Sequence, residues 1–424
     1  MFYNILNGRT YKLMNIKITP CKLHGTVEIP SSKSFAHREI ICASLSKGKS
    51  IISGVSFSKD IYATLSAMES LGAKYTIQDD TITIQGISNP KDTATIDCCE
   101  SGSTLRFIIP IVSALGVSAT LKGQGRLPER PITPFIRELP KKNVSFDYQN
   151  TMPFSMNGKL ISGTFELEGD ISSQFITGLL FALPLLDGDS KIVMTTPLQS
   201  KPYVDMTIQS MANFGVKVQE MDYGYYILGN QEYKSLDHKV EGDYSQSAFF
   251  YVANAIGNDI TLKNLLANSI QGDKKIVEIC EKSCYNRNDN RLNAYTIDAK
   301  DIPDLVPILA VLGCFGNKTS KIVGAERLKI KESDRLIAIA DALNRIGGKV
   351  TPTDDGLIIQ PIDHFTGGTV DGFGDHRIVM ATAIASTRCV GDVTIVGANA
   401  IEKSYPNFFR DFENLGGKIN VINV

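Results

Sequence analysis

Residues 168–186, EGDISSQFITGLLFALPLL, place a cluster of small polar and acidic residues directly before an almost entirely apolar run. Ser and Asp are preferred at helix N-caps, because their side chains accept hydrogen bonds from the free N–H groups of the first turn. A helix that is apolar on every side belongs in a protein core. The stretch therefore predicts a capped helix buried inside a domain.

The same pattern recurs along the chain with a period of about 70 residues, which indicates a structural unit that is built several times. Residues 241–247, EGDYSQS, closely match residues 168–174, EGDISSQ. Six stretches share the pattern: SSKSFAHREIICASL from Ser31, ESGSTLRFIIPIVSAL from Glu100, GDISSQFITGLLFALPLL from Gly169, GDYSQSAFFYVANAIG from Gly242, DIPDLVPILAVLG from Asp301 and GDHRIVMATAIAS from Gly374.

A second recurring element is an amphipathic helix that ends near a Gly and is followed by two short strands. It is clearest in IYATLSAMESLGAKYTIQDDTITIQG from Ile61 and DRLIAIADALNRIGGKVTPTDDGLIIQP from Asp334. Gly suits a left-handed C-cap, and the alternation in KYTIQ and TITIQ has the period of a half-buried hairpin. Together the two elements predict a β-α-β-α-β-β unit. Chance alternation of helices and strands is the alternative interpretation.

Six such units predict an α/β chain, and 424 residues are enough for two domains of three units each. We expect an N-terminal lobe at residues 31–240. The C-terminal lobe should comprise residues 241–424 together with residues 1–30, whose strand crosses over to it. The active site is expected in the cleft between the two lobes.

Composition excludes several classes of protein. A net charge of −1, from 44 Lys+Arg and 45 Asp+Glu, argues against a nucleic-acid partner. The most apolar stretch, 176–186, is shorter than the roughly 20 residues of a membrane span. Eight cysteines without a CxxC couple and five dispersed histidines argue against a metal site and favour reduced thiols in the cytoplasm. Neither GxGxxG nor GxxxxGK[ST] follows a predicted strand, so no nucleotide is expected.

The polar starts of the buried helices are candidate anion sites, because free N–H groups and the helix dipole favour negative charge there. For any single basic residue nearby, a solvated surface position is the alternative. As a group they predict a site for small polyanions. They are Lys33, Arg38, Arg106 and Arg377 at helix starts, and Arg130, Lys201, Lys329, Lys331, Arg335 and Lys403 in connecting segments.

Two carboxylates are candidate catalytic groups. Asp304 lies in DIPD at the start of an apolar helix, where N-terminal capping is the alternative role. Glu332 lies in KIKESDR, where an exposed ion-pair network is the alternative. His24 and His37 are isolated in sequence, and no Ser-His-Asp arrangement supports nucleophilic catalysis.

Ten short motifs, in order, resemble those of the enolpyruvyl transferase family, and within it the branch that acts on shikimate 3-phosphate. The resemblance extends from about residue 15 to the C-terminus. The motifs are PSSKSFAHR at 30–38, ESGSTLRF at 100–107, RLPERP at 126–131, SSQF at 172–175, SKPYVD at 200–205, EGDYSQSA at 241–248, IPD at 302–304, KESDR at 331–335, GDHR at 374–377 and KSYP at 403–406.

The resemblance implies a fold and a reaction. The family's inside-out α/β fold has two lobes, each of three β-α-β-α-β-β repeats in a pseudo-threefold arrangement, which agrees with the repeat count above. The implied reaction transfers the enolpyruvyl group of phosphoenolpyruvate to the 5-hydroxyl of shikimate 3-phosphate by addition and elimination. The resemblance implies no cofactor and a monomeric protein.

Site residues follow from the resemblance, motif by motif. Asp304 and Glu332 are the implied catalytic base and acid, and Lys33 assists the leaving phosphate. The implied phosphoenolpyruvate site comprises Lys33, Gly102, Arg130, Gln174, Arg335, Arg377 and Lys403. The implied shikimate 3-phosphate site comprises Lys33, Ser34, Arg38, Ser172, Ser173, Gln174, Ser200, Tyr203, Asp304 and Lys331.

Two positions depart from the pattern of the better-known family members, and two other functions stay open. Glu100 stands where many relatives carry Asn, and Arg327 where some carry Asn. The sister transferase acting on UDP-N-acetylglucosamine is the first alternative, although the segment GQGRLPERP lacks the Cys typical of it. A catalytically silent anion-binding relative is the second, and it would gain little from two carboxylates in the site.

Overall fold

The computed structural model describes residues 14–283, 285–286 and 291–423. The first 13 residues of the predicted C-terminal lobe lie outside this range. Within it the chain forms twelve α-helices: α1 Lys33–Leu45, α2 Lys59–Leu71, α3 Gly102–Leu115, α4 Thr133–Glu138, α5 Ser173–Ala182, α6 Lys201–Asn213, α7 Tyr244–Ala255, α8 Lys275–Lys282, α9 Val306–Gly313, α10 Arg335–Arg345, α11 His376–Ser386 and α12 Phe408–Asn414.

The odd-numbered helices are the six apolar helices expected from the repeats, and nearly all of their residues are buried. Five begin with a side-chain N-cap, as the polar clusters before them predict. Helix α9 is the exception, because a 3-10 turn, Pro303–Leu305, precedes it without a side-chain cap. The capping residues of the other five are Ser32, Ser101, Ser172, Asp243 and Asp375.

The described residues also form 24 strands. They are β1 Met14–Thr19, β2 His24–Glu28, β3 Lys49–Ser53, β4 Lys74–Gln78, β5 Thr81–Gln85, β6 Thr93–Asp97, β7 Ser118–Lys122, β8 Ser145–Asp147, β9 Phe154–Asn157, β10 Thr164–Leu167, β11 Ser190–Met194, β12 Gln219–Met221, β13 Gly224–Ile227, β14 His238–Lys239, β15 Asp259–Lys263, β16 Tyr285–Asn286, β17 Arg291–Leu292, β18 Thr296–Asp298, β19 Ser320–Val323, β20 Val350–Pro352, β21 Leu357–Ile359, β22 Gly368–Asp371, β23 Val393–Val396 and β24 Lys418–Asn423.

Three sheets follow the predicted unit directly, with strand orders β6-β7-β9-β8, β10-β11-β13-β12 and β18-β19-β21-β20. In each, the first two strands are parallel and are joined by a buried odd-numbered helix. The last two strands form an antiparallel hairpin. The β-α-β-α-β-β unit and the α/β fold class are therefore confirmed.

The other three units exchange strands. The repeat pattern does not predict which strands pair, although residues 1–30 are expected to cross over to the C-terminal lobe. Strand β2 precedes α1 in sequence but pairs with β15 of the fourth unit, and β14 precedes α7 but pairs with β3 of the first unit. Strand β1 lies between β23 and β24 of the sixth unit. In the described part of the fourth unit, β15 pairs only with β2, and β16 and β17 form a separate hairpin.

Apolar side chains form two separate clusters. One extends from Phe35 to Val240, and the other combines residues from Ile16 to Ile29 with residues from Ala248 to Leu415. The chain crosses between them twice, and the two crossing segments hydrogen-bond to each other where the Ser32 amide donates to the Glu241 carbonyl at 2.7 Å. This crossing brings the start of α1 close to the start of α7.

Candidate functional site

A polar cleft is lined by residues from both halves of the chain. Fifteen of the sixteen residues implied by the family resemblance line it, although they are spread over more than 340 residues of sequence. They are Lys33, Ser34, Arg38, Gly102, Arg130, Ser172, Ser173, Gln174, Ser200, Tyr203, Asp304, Lys331, Glu332, Arg335 and Arg377.

Lys403 is the one implied residue that does not line the cleft. Its ammonium group donates to Glu100 Oε2 and to the Gly374 carbonyl, both at 2.7 Å. The structure thus places the two departures from the family pattern differently: Glu100 holds Lys403, whereas Arg327 lines the cleft and donates to Ser200 Oγ at 3.0 Å.

Asp304 is held in the cleft by two arginines rather than used as a helix cap. Arg377 Nη2 lies 2.8 Å from its Oδ2, and Arg335 Nη1 lies 2.9 Å from its Oδ1. Burial raises the pKa of the Asp304 carboxyl, but the nearby positive charges of Arg377, Lys331 and Arg335 outweigh this, so its pKa lies well below the usual range. Asp304 is therefore a carboxylate in the free protein.

Glu332 is also paired within the cleft and is not part of an exposed network. Its side chain is 17% exposed and accepts from Arg335 Nη2 at 2.7 Å, with Arg130 Nη1 at 3.5 Å. Burial raises the pKa of Glu332, but Arg335 and Arg130 lower it by more, so its pKa lies well below normal. Any anion that takes over these arginines will raise that pKa again.

Arg335 connects the two candidate catalytic carboxylates. It is the first residue of α10 and is 2% exposed. Its guanidinium also donates from Nε to Asp375 Oδ2 at 2.7 Å, so it contacts three carboxylates at once. A planar fork of five N–H donors can serve three partners, which an ammonium group cannot do in the same geometry.

Lys33 also lines the cleft and is the first residue of α1. Its backbone N–H donates to Asp243 Oδ2 at 3.0 Å, which ties the first helix to the second chain crossing. Its ammonium group pairs with Asp60 Oδ2 at 2.8 Å. Asp60 therefore holds this lysine in the cleft.

Side chains of α5 and α1 complete the lining, and hydrogen bonds to neighbouring helices hold them in place. Gln174, in the first turn of α5, accepts from Arg106 Nη1 at 2.7 Å and donates to Ser103 Oγ at 2.9 Å. Arg38 donates to Thr207 Oγ1 at 2.9 Å and to the Tyr203 carbonyl at 2.8 Å, so its guanidinium is fixed between α1 and α6.

The family resemblance does not imply nine of the lining residues, and of these only Arg106 is among the basic residues predicted to bind an anion. His376 could have been predicted from the sequence, because it precedes Arg377 in the GDHR motif. Burial lowers the pKa of His376 well below normal, so its imidazole is neutral. Asp60 belongs to none of the motifs, and only its contact with Lys33 in the structure shows that it is part of the site. The nine are Asp60, Ser103, Arg106, Phe107, Ile171, Pro303, Arg327, Ile330 and His376.

The charge balance of the cleft indicates its ligands. Among the residues that the structure describes, eight Lys and Arg side chains line it against three Asp and Glu, in a protein whose net charge is only −1. Arginine forks and helix starts recognise carboxylate and phosphate groups. The site therefore defines a protein that binds small polyanions and holds two carboxylates among the binding groups.

Comparison with known proteins gives the family. The family model for EPSP synthase (3-phosphoshikimate 1-carboxyvinyltransferase) matches residues 18–412. A 3-phosphoshikimate 1-carboxyvinyltransferase of Clostridium beijerinckii is 43% identical and covers 97% of this chain and 99% of its own length. One from Clostridium novyi is 45% identical, covering 96% and 98%. The chain belongs to the EPSP synthase family, which confirms the family predicted from the motifs.

Solved structures agree on the fold. EPSP synthase from Acinetobacter baumannii superposes with a TM-score of 0.80 at 24% sequence identity, covering 96% of this chain and 100% of that one. Among the described residues, no helix has the length and apolar character needed to cross a bilayer.

Proposed function

We propose that this protein transfers the enolpyruvyl group of phosphoenolpyruvate to the 5-hydroxyl of shikimate 3-phosphate, giving 5-enolpyruvylshikimate 3-phosphate and inorganic phosphate. The main support is that Asp304 and Glu332, a candidate base and acid, share Arg335 in a cleft rich in cations. Both substrates carry a phosphate and a carboxylate group, so their negative charges match the positive charge of the cleft.

The lining divides into two subsites in this proposal. Lys33, Arg130, Arg335 and Arg377 bind the donor's phosphate and carboxylate, and Lys403 joins them when the donor displaces Glu100. Ser34, Arg38, Ser172, Ser173, Ser200, Tyr203 and Lys331 bind the acceptor, together with Gln174 between the two. Arg327 adds a positive charge beside Ser200, where it reaches the acceptor's phosphate.

Addition comes first. Asp304 accepts the proton of the acceptor hydroxyl while the hydroxyl oxygen bonds to C2 of the donor, and Glu332 protonates the methylene carbon C3. Glu332 can hold that proton only with substrates bound, because their anionic groups compete for Arg335 and Arg130 and so raise its pKa. The product of this step is a tetrahedral intermediate.

Elimination reverses the proton transfers. Glu332 takes a proton back from the new methyl group, the C2–O bond to phosphate breaks, and the hydroxyl proton leaves with phosphate. Lys33 stabilises the negative charge that develops on the bridging oxygen. The sum of both steps needs no redox change and no further reactant.

Organisation and location complete the proposal. The division into lobes 31–240 and 1–30 plus 241–424 is supported by the two separate apolar clusters. A cytoplasmic location is supported by Cys42, Cys98, Cys314 and Cys389, which are buried free thiols in the described part of the chain. The proposal includes a monomeric protein, as the family resemblance implies.

Phosphate release tests the function. With phosphoenolpyruvate and shikimate 3-phosphate we expect stoichiometric phosphate and enolpyruvyl product, detected by mass spectrometry. UDP-N-acetylglucosamine as acceptor should give none. Phosphate release with UDP-N-acetylglucosamine but not with shikimate 3-phosphate as acceptor would indicate the sister reaction. Binding of phosphoenolpyruvate and shikimate 3-phosphate without phosphate release would indicate a catalytically silent relative.

Gly102→Ala will weaken donor binding more than acceptor binding. A Cβ at this position would lie 2.5 Å from Arg130 Nη1, so the guanidinium must move from its place at the start of α3. We expect KM for phosphoenolpyruvate to rise about 10- to 100-fold, the equivalent of a lost hydrogen bond to a charged group. Steady-state kinetics with each substrate varied provides the measurement, and an equal rise in both KM values would contradict it.

A further inference from the structure

A second buried carboxyl group lies directly behind Asp304. Asp273 belongs to the 3-10 turn Gly272–Lys274, is 4% exposed and does not line the cleft. Its Oδ2 lies 3.1 Å from the hydroxyl oxygen of Tyr203, and the same hydroxyl lies 3.2 Å from Asp304 Oδ2. The mechanism above makes no use of Asp273.

Asp273, Tyr203 and Asp304 form a hydrogen-bonded chain that can take up one more proton. A phenol has a single hydrogen, so Tyr203 can donate to only one of the two carboxylate oxygens that face it. When both Asp273 and Asp304 are ionised, one of these contacts lacks a hydrogen. A proton that arrives at Asp304 completes the chain: Asp304 is left as a carboxylate accepting from Tyr203, and Asp273 becomes the protonated end.

Asp304 alone is a weak acceptor of that proton, because its pKa lies well below normal among Arg377, Lys331 and Arg335. Asp273 differs. Burial and the negative charge of Asp304 raise its pKa, the positive charge of Arg377 opposes them, and the resulting pKa is about 7. The other groups that face it are Ser245, whose hydroxyl lowers its pKa, and Asp243, whose charge raises it. Asp273 thus binds a proton near neutral pH where Asp304 does not.

On the basis of the proposed function, the geometry assigns Asp273 as the temporary holder of the acceptor's hydroxyl proton, reached from Asp304 through Tyr203. As the hydroxyl O–H bond breaks, Asp304 passes the proton to the Tyr203 oxygen, and Tyr203 releases its own hydrogen to Asp273. The reverse transfer supplies the proton that leaves with phosphate. Asp273 is a positioning residue in this scheme, because it acts through Tyr203 and touches neither substrate.

Turnover of two nearly isosteric variants tests the assignment. Asp273→Asn cannot accept the proton, and Tyr203→Phe breaks the chain, so each should lower kcat by about 100-fold, in the range of a lost acid–base group. The double variant should be no slower than the slower single one, because both changes interrupt one path. Tyr244→Phe is the matched control, because its buried phenol donates only to the Leu266 carbonyl, and it should retain wild-type kcat.

The pH profile separates a proton path from a merely structural role. The wild-type kcat/KM for shikimate 3-phosphate should rise with pH through about 7 as Asp273 ionises. That rise should be missing in Asp273→Asn and in Tyr203→Phe, while calorimetry shows that Asp273→Asn, whose changed side chain does not touch the acceptor, binds it within about threefold of wild type. If either variant keeps the wild-type kcat and the rise of kcat/KM with pH, the inference is wrong. If Asp273→Asn does not fold, the kcat and pH profile of Tyr203→Phe test the inference on their own.

The proposed function fails separately from this inference. If the wild-type protein transfers the enolpyruvyl group and the Asp273→Asn and Tyr203→Phe variants do so at the same rate, the proton path through Asp273 is wrong and the proposed function stands. A wild-type protein that releases no phosphate overturns the proposed function and with it the path.

Discussion

Asp304→Asn and Glu332→Gln will each lower kcat by about 10²- to 10⁴-fold, the contribution of a positioned acid or base. Both replacements keep the shape of the side chain and remove only its ability to take up and release a proton. Each also removes a negative charge from a cationic cleft, so binding of both anionic substrates should be retained or tightened. Rapid-quench turnover and calorimetry on the same preparations measure the two effects.

A control separates the loss of a carboxylate in the cleft from the loss of any carboxylate. Glu129 is paired with Arg126 on the surface, and its side chain is 71% exposed. Glu129→Gln should therefore keep wild-type turnover. Near-normal kcat in either Asp304→Asn or Glu332→Gln would contradict the roles given to these residues.

Arg335→Met will impair both turnover and stability. It leaves Asp304, Glu332 and Asp375 without their shared partner, and breaking a buried ion pair from one side costs about 3–5 kcal/mol. We expect a loss of that size in the free energy of unfolding by urea, together with a drop in kcat/KM of about 10³-fold from the missing charge-assisted contacts to the donor.

The stability loss should depend on pH. Asp304 and Glu332 have depressed pKa values in the folded protein, so their ionic contribution is present above the usual carboxyl pKa of about 4 and is lost as pH falls below it. The gap between wild type and Arg335→Met should therefore narrow on acidification. Arg345→Met, at the exposed far end of the same helix, is the control and should change stability by less than about 1 kcal/mol. A gap that widens in acid would contradict this account.

Local pattern was enough to predict the repeating unit but not the way the units share strands. The apolar run after Asp375 or Ser172 identifies a buried helix, because burial on all sides is visible in the residues themselves. Strands β2 and β14 each have two possible partners, one in either half of the chain. Their choice depends on pairing between residues more than 180 positions apart, which no local pattern encodes.

The candidate site shows the same limit. Residues inside distinctive motifs, such as Lys33 and Arg335, could be predicted as neighbours from the family resemblance. Asp60 and Asp273 belong to no motif that the sequence analysis used, and their importance comes only from the lysine and the phenol that they contact. The ion pair that removes Lys403 from the cleft lining joins residues 303 positions apart.

Deuterium transfer tests the central claim most directly. Glu332 is ionised in the free protein, so the proton that it gives to C3 must come from solvent. In D₂O with both substrates, we therefore expect deuterium in the methylene group of the enolpyruvyl product and of recovered phosphoenolpyruvate, and labelling that is about 10²- to 10⁴-fold slower with Glu332→Gln. Product that forms in D₂O with an unlabelled methylene group would contradict addition and elimination at this site.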